Sequence, residues 1–416
     1  MNLWIFNHHA GESGRHPSFS YYLNKKGVNV TLFSSSFIHN SYTEIKEYNS
    51  LEYFKTEEKD GYKRVYIKTP RYHNNGAKRL WNQIMFAYRS FKASKVLLKN
   101  KDKPEVIVGS SVHLFTGLSA YYLSRKVGSK FVFEIRDVWP QTLVDLGALK
   151  EKSLVTKIFR SIEKFLYNKA DKIISVLPHG YRHISKYGIS RDKVIYIPNG
   201  IDLKSSNKKV GFLAEEPKSF FESNSKKFII TFTGAHGLAN GLKTVVRAAS
   251  ELEKMEENKH IKSHILLVGD GPEKNNLIEL AKQLNLKNIT FLNKVNKDQV
   301  PHILQHSDVC LFHLKSTPVF KYGLSSNKLF DYMNSGKPMI FAADTSYDFA
   351  EEAQNGISIP AESPKQIAES ILELKRKMPE ELYEMGQNGK KFVTSKHDLE
   401  KLADGVLEVC ETITRK

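Results

Sequence analysis

Ser325-Ser326-Asn327-Lys328 is a run of small polar side chains closed by a lysine, with Asp331 shortly after it. Ser and Asn are residue types that open helices, where unpaired backbone N–H groups point outward. A helix N-terminus with hydroxyls and an ammonium group beside it suits a phosphate. Asp331 falls about one turn into that helix, within reach of vicinal hydroxyls such as those of a ribose. Ordinary capping also explains Ser and Asn without any ligand. A second stretch, Thr233-Gly-Ala-His-Gly-Leu-Ala-Asn-Gly241, is glycine-rich, and such loops cradle phosphate with backbone N–H groups. It does not match the Gly-x-x-x-x-Gly-Lys-Ser/Thr pattern. A third cluster, Glu134, Arg136 and Asp137, closes the apolar run Phe131-Val-Phe133, and His113 follows another apolar run. Open α/β sheets take ligands at the carboxyl ends of their strands. An ion pair of Arg136 with either carboxylate, fixing the loop, is the structural alternative. In the first polar loop Gly14 and Arg15 would let backbone and guanidinium approach an anion, and a plain surface loop explains them equally well.

These residues need strands and helices to hold them. Leu3–Phe6, Val28–Phe33, Glu105–Val108, the apolar start of Lys130–Pro140 and Lys172–Leu177 predict strands in the first half. Phe228–Phe232, His264–Val268, Asn288–Leu292, Asp308–Leu314 and Met339–Ala343 predict them in the second. Helical patterns alternate with these runs, so the expected class is α/β with parallel sheets. Residues 40–75 read as an irregular hairpin region. The stretch 203–227 is rich in Ser, Lys, Glu and Asn and reads as an interdomain linker. The expected organisation is two doubly wound, Rossmann-like domains, 1–202 and 228–393, facing each other across a ligand crevice. A final helical segment, 394–416, opens on the capping box Ser395-Lys-His-Asp398. The first turn lacks Gly-x-Gly-x-x-Gly, which counts against a dehydrogenase.

At 416 residues the chain is too long for one core. No run of 18 apolar residues occurs, so no spanning helix is expected. The start lacks a basic region and a small-residue cleavage site, so no signal peptide is expected. Two cysteines give no disulfide framework or zinc spacing, and a reducing cytoplasm is the default. The net charge of +18 is skewed, since residues 1–200 hold 33 Lys and Arg against 16 Asp and Glu. A basic half suggests an anionic partner, and a lysine-rich solvated surface is the plainer account. Within it, Ala77–Lys103 interleaves basic residues with Leu80, Trp81, Ile84, Met85, Tyr88 and Phe91. Such a helix can lie on an anionic membrane, or bury its apolar face in the core.

Taken together, the chain resembles the retaining glycosyltransferases of GT-B fold, family 4, over nearly its whole length. Within them it is similar to the L-fucosamine (N-acetylfucosamine) transferases of O-antigen and capsule assembly. The resemblance rests on Asn7-His8-His9 with Gly14-Arg15-His16, Phe133-Glu-Ile-Arg-Asp-Val-Trp-Pro140, and Ile197-Pro-Asn-Gly-Ile-Asp202. It rests further on Thr233–Leu242, Gly269-Asp-Gly-Pro272 and Ser326-Asn-Lys-Leu-Phe-Asp-Tyr-Met333.

The resemblance implies a UDP-sugar donor in the second domain and an acceptor in the first. Ser325, Ser326, Asn327 and Lys328 would hold the diphosphate. Gly234, His236, Gly237 and Asn240 would face the phosphates, and Gly271, Lys294 and Val295 would line the base pocket. Asp331 stands where the family has the second Glu of Glu-x7-Glu, a ribose contact. Gly323 stands where the first would be. Gly14, Arg15, His16, His113 and Arg136 would meet the acceptor. Glu134 or Asp137 would orient its hydroxyl, with Lys328 stabilising the leaving group. No Asp-x-Asp occurs, so no metal and no other cofactor is expected. The implied acceptor is a polyprenyl-diphosphate-linked saccharide, met by peripheral contact with the cytoplasmic face of an anionic plasma membrane, with no nucleic acid as partner. The competing readings are a nucleotide-sugar epimerase of the same fold and a basic nucleic-acid-binding protein. The latter has no helix-turn-helix, RNP or zinc pattern to support it.

Overall fold

The computed structural model describes every residue except 40, 74, 75, 101, 102, 112, 207–212, 258–260 and 416. The chain divides into two compact units. One comprises 1–202, 322–325 and 399–416, the other 203–321 and 326–398.

The first unit is built on an eight-stranded sheet. Its order is Val194–Tyr196, Lys172–Ser175, Lys130–Ile135, Val106–Ser110, Asn2–Phe6, Asn29–Ser35, Tyr62–Ile67, Phe54–Lys59. All neighbours run parallel except the last pair, a hairpin turning at Asp60-Gly61 with both residues at positive φ, the backbone that an Asp-Gly turn supplies. The central strands are continuous apolar runs because both faces are covered. Helices Ala77–Leu97, Leu114–Val127 and Leu154–Lys169 place Phe86, Leu123 and Leu166 on one face. The other is covered by Arg15–Lys25 and by the final helix, Leu399–Thr414, through Leu399, Ala403, Val406 and Cys410.

The second unit carries a six-stranded, all-parallel sheet. Its order is Ile289–Leu292, Ser263–Val268, Phe228–Thr233, Val309–His313, Met339–Ala342, Gly356–Ile359. Chain order reverses between Phe228–Thr233 and Val309–His313, and such switch points are where doubly wound sheets hold ligands. The corresponding reversal in the first unit lies between Asn2–Phe6 and Val106–Ser110.

The stretch expected as a linker differs in part. Residues 207–212 lie outside the described residues. Beyond them Glu215–Ser223 is a helix whose Phe220 and Phe221 are buried against Ile229, Leu266 and Ile303. Its polar composition reflects a short helix with one apolar corner, so this segment belongs to the second core.

Candidate functional site

In the second unit the switch point gathers three loops. Strand Phe228–Thr233 runs into the glycine-rich loop, and strand Val309–His313 ends beside it. His313 Nδ1 donates to the Asn240 carbonyl at 2.7 Å, which ties the two together. Helix Asn327–Asn334 is roped to the same place by Tyr332, whose hydroxyl donates to Thr233 O and accepts from Thr233 N. Its first residue follows Ser326, whose side chain makes no capping bond, so that side chain leaves the opening turn uncapped.

Lys328 lies in that opening turn. Its Nζ donates to Asn240 Oδ1 at 2.6 Å and sits 4.4 Å from the Phe232 ring centroid. The stem crosses Gly234 so closely that a Cβ there would come within 2.9 Å of Lys328 Cδ. Burial pulls the ammonium pKa down from 10.5 to about 7, with no described carboxylate to offset it. Asp331, three residues on, is pushed up to about 6 by burial, with only Lys297 opposing the shift. A lysine with a lowered pKa beside a helix opening that its N-cap side chain leaves unsatisfied is an arrangement that an anion completes.

Other residues of the expected donor set have structural partners. Gly234 N donates to Val268 O and His236 N to Asp270 O, so both amides pin the loop rather than face outward. The His236 ring is fully enclosed near Phe232 and Phe291, both ring nitrogens lack partners, and burial lowers its pKa to about 4. Its placement is therefore interior to the loop. Gly271 lies against that loop, where a Cβ would stand 2.6 Å from His236 O. Lys294 is exposed, and Val295 packs beside the Phe220–Phe221 cluster. Gly237 is open, with nothing near a would-be Cβ. Ser325 belongs to the first unit, where its hydroxyl accepts from Asn199 N and its carbonyl from Asn199 Nδ2.

Gly323 has a physical reason to be glycine. Its φ is +87° and a Cβ would lie 2.7 Å from Pro178 Cδ. No side chain, glutamate included, fits there without rearrangement. Gly323→Ala is expected to destabilise the protein by about 1–3 kcal/mol, measured as a shift in urea midpoint. An unchanged midpoint would show the turn to be freer than drawn.

In the first unit Glu134 is a buried hub. Its Oε1 accepts from Arg15 Nε at 2.8 Å, and its Oε2 meets His16 Nε2 at 2.7 Å and accepts from Ser110 Oγ at 2.5 Å. Arg15 and His16 hold the carboxyl well below its usual range, overcoming burial. Arg15 also donates to the carbonyls of Pro198 and Ile197. Glu134, Arg15 and His16 thus join strand ends to one another. Gly14 precedes the helix opening at Arg15, with φ +104° and no neighbour near a would-be Cβ. The Arg136 ion pair offered as the structural alternative is absent among the described residues, and Glu134's guanidinium partner is Arg15. Asp137 accepts from Thr142 Oγ1 and Val138 N, and burial raises its pKa. His113 joins His8 and His9 of the Asn7-His8-His9 motif, together with His39 and Arg79, which no motif singled out; Arg136 acts on His9, and its backbone N donates to Ser111 Oγ. Among the described residues no group of three or more His, Cys, Asp or Glu could hold a metal ion.

Two family models divide the chain between them. Residues 18–205 match the one described as Glycosyltransferase Family 4, and residues 214–392 match Glycosyl transferases group 1. The putative colanic acid biosynthesis glycosyl transferase WcaI of Escherichia coli K12 is 24% identical over 233 residues, 56% of this chain and 55% of its own. The chain therefore spans about half the length of that relative. The probable glycosyltransferase WbjE of Pseudomonas aeruginosa is 22% identical over 315 residues, 74% of this chain and 75% of its own. Among solved structures, Anabaena HepE in complex with UDP-glucose superposes with a TM-score of 0.67 at 12% identity, covering 99% of this chain and 100% of that one. At that identity the likeness concerns the fold.

Proposed function

From a chain that belongs to the GT-B glycosyltransferases, with a Family 4 first half and a group 1 second half, we propose the transfer of a sugar from a UDP-sugar to a lipid-linked saccharide. The pathway class is surface-polysaccharide assembly, as the name of the colanic acid relative suggests. The donor sugar is an N-acetylated aminosugar of the L-fucosamine kind, after the motif resemblance.

The observation that carries the reading is Lys328, a cation of lowered pKa at the opening of a helix and at a topological switch point. Breaking a glycosyl–phosphate bond builds negative charge on the leaving diphosphate. Helix amides and Lys328 stabilise that charge where it develops. No Asp-x-Asp is present to bridge a metal to the diphosphate, so the step runs without one. Transfer is retaining, with the leaving phosphate accepting the acceptor proton. Asp331 meets the ribose, and Asp137 orients the acceptor hydroxyl.

No described helix is long and apolar enough to cross a membrane. Contact with a lipid surface falls instead to the helices packed in series on one face of the first unit. Trp81 is 54% exposed and Leu154 72%, among lysines and arginines. Such a face lies on anionic lipid at the cytoplasmic side of a plasma membrane.

A thermal-shift series of UDP-, GDP- and dTDP-sugars tests the donor assignment, because a ligand of the folded state raises the melting temperature by mass action. The UDP series is expected to shift it most. Equal shifts, or none, would remove the donor assignment. Transfer to a lipid-linked saccharide is expected to be faster in anionic than in neutral vesicles. Sugar epimerised without acceptor would favour the epimerase instead.

A further inference from the structure

The switch point of the first unit holds a cluster of nitrogen donors that the transfer chemistry above does not use. The strand Asn2–Phe6 runs out into His8 and His9, and Val106–Ser110 runs out toward His113. His8 Nδ1 lies 2.9 Å from His113 Nε2. The rings of His8 and His9 stack at 4.3 Å, and His39 stands 5.4 Å from His9. Arg136 follows the next strand, Lys130–Ile135.

Three nitrogens in this cluster, His9 Nε2, His113 Nδ1 and Arg136 Nε, are buried and have no hydrogen-bond partner. Buried donors without partners are rare and call for a water, an ion or a ligand. If the His8–His113 bond runs from Nδ1 to Nε2, His113 carries its proton on Nδ1 and is a donor. The Arg136 Nε–H is a donor in any state. Every charged or titratable group that acts on His8, His9 and His113 is itself a histidine or an arginine, Arg79 included. No carboxylate acts on those three rings. Around Arg136, Glu134 is engaged by Arg15 and His16, and Asp137 by Thr142 and Val138.

We propose that His9, His113 and Arg136 form an oxyanion site that receives the phosphate groups of the acceptor. The site rests on the transferase reading for the identity of its ligand, but not for its existence. Partnerless donors, and rings on which no carboxylate acts, favour a compact anion over a sugar hydroxyl, which both donates and accepts; the two carboxylates that do act on Arg136, Glu134 and Asp137, are engaged by other partners. A diphosphate presents several acceptor oxygens and no obligatory donor, the complement of this lining. The acceptor is then recognised by its carrier linkage as well as by its sugar.

The test uses the full chain with saturating UDP to occupy the second unit. Inorganic pyrophosphate is titrated by calorimetry, and the histidine ring resonances are followed by NMR. Pyrophosphate is expected to bind and to shift the His9 and His113 signals. His9→Gln and Arg136→Gln are expected to weaken binding at least tenfold each. No binding to the wild type, or unchanged affinity in both variants, would overturn the site, and the wild-type NMR shifts decide the matter should a variant fail to fold. A transfer assay separates the two readings. If acceptors with and without the diphosphate have equal KM, the site is not an acceptor site although the enzyme is a transferase. If no acceptor is glycosylated yet pyrophosphate binding is lost in the variants, the anion site stands and the transferase reading falls.

Discussion

Lys328→Met is expected to raise the melting temperature while it removes donor use. The native chain holds an ammonium group in a desolvated place where its pKa falls from 10.5 to about 7. Between those values the unfolded chain binds more protons than the folded one, so native stability climbs as pH rises through that window. The penalty on the wild type is therefore fully present below about pH 7 and relieved toward pH 10.5. Methionine has a similar apolar stem and no charge to desolvate. Its advantage over lysine is expected to be greatest at pH 6–7 and to shrink above it, with a gain of about 2–4 °C for each kcal/mol relieved. Loss of one charge-stabilising group at the leaving diphosphate lowers kcat/KM by about 100- to 1000-fold. The wild-type kcat/KM for donor is expected to fall as pH rises past about 7, because the free enzyme then loses the ammonium proton. Lys328→Arg keeps its charge and flattens that limb. A Met variant that is both less stable and fully active would dispose of the assignment.

Glu134→Ala is expected to be the most destabilising single change in the first unit. It leaves the Arg15 guanidinium and His16 buried without their anion, and Ser110 without its acceptor. Breaking a buried pair from one side costs about 3–5 kcal/mol. Glu134→Gln keeps one acceptor oxygen and the volume, and is expected to lose less. The native carboxyl titrates well below its unfolded value, so its stabilisation is present above about pH 4.5 and is lost as pH falls toward the folded pKa. Urea melts are expected to bring wild type and Gln variant closer together as pH falls below about 4.5. A catalytic but structurally idle Glu134 would instead give normal melts and a dead enzyme.

The fold was largely legible because buried parallel strands are continuous apolar runs. Val28–Phe33 anticipates Asn29–Ser35, and Phe228–Phe232 anticipates Phe228–Thr233. The helix Asn327–Asn334 was legible for a local reason too, since Ser326, Asn327 and Lys328 at its opening are sequence neighbours. What stayed hidden is what depends on distant chain. Arg15 and Glu134 are 119 residues apart, and nothing near either one announces the other. Asn199 and Ser325 are 126 apart. The glycine-rich loop looked like a set of outward amides, but pairing with Val268 and Asp270 turns two of them inward. Phe220 and Phe221 were masked by their polar flanks. In the histidine cluster, His8 and His9 are adjacent in sequence, but His39, Arg79, His113 and Arg136 arrive from four other places.

The final helix, Leu399–Thr414, fills one side of the first sheet, although nearly two hundred residues of another folding unit separate it from Asp202. During synthesis the N-terminal sheet leaves the ribosome with that side covered by helix Arg15–Lys25 alone, and the place of the final helix stays open while the second unit is made. Leu3, Ile5, Val30 and Leu32 share a core cluster with that helix. A nascent chain in this condition is a natural client for chaperones. A fragment ending near Asp202 would inherit the same sticky face and precipitate, whereas co-expressing the last helix in trans offers a way to keep it soluble.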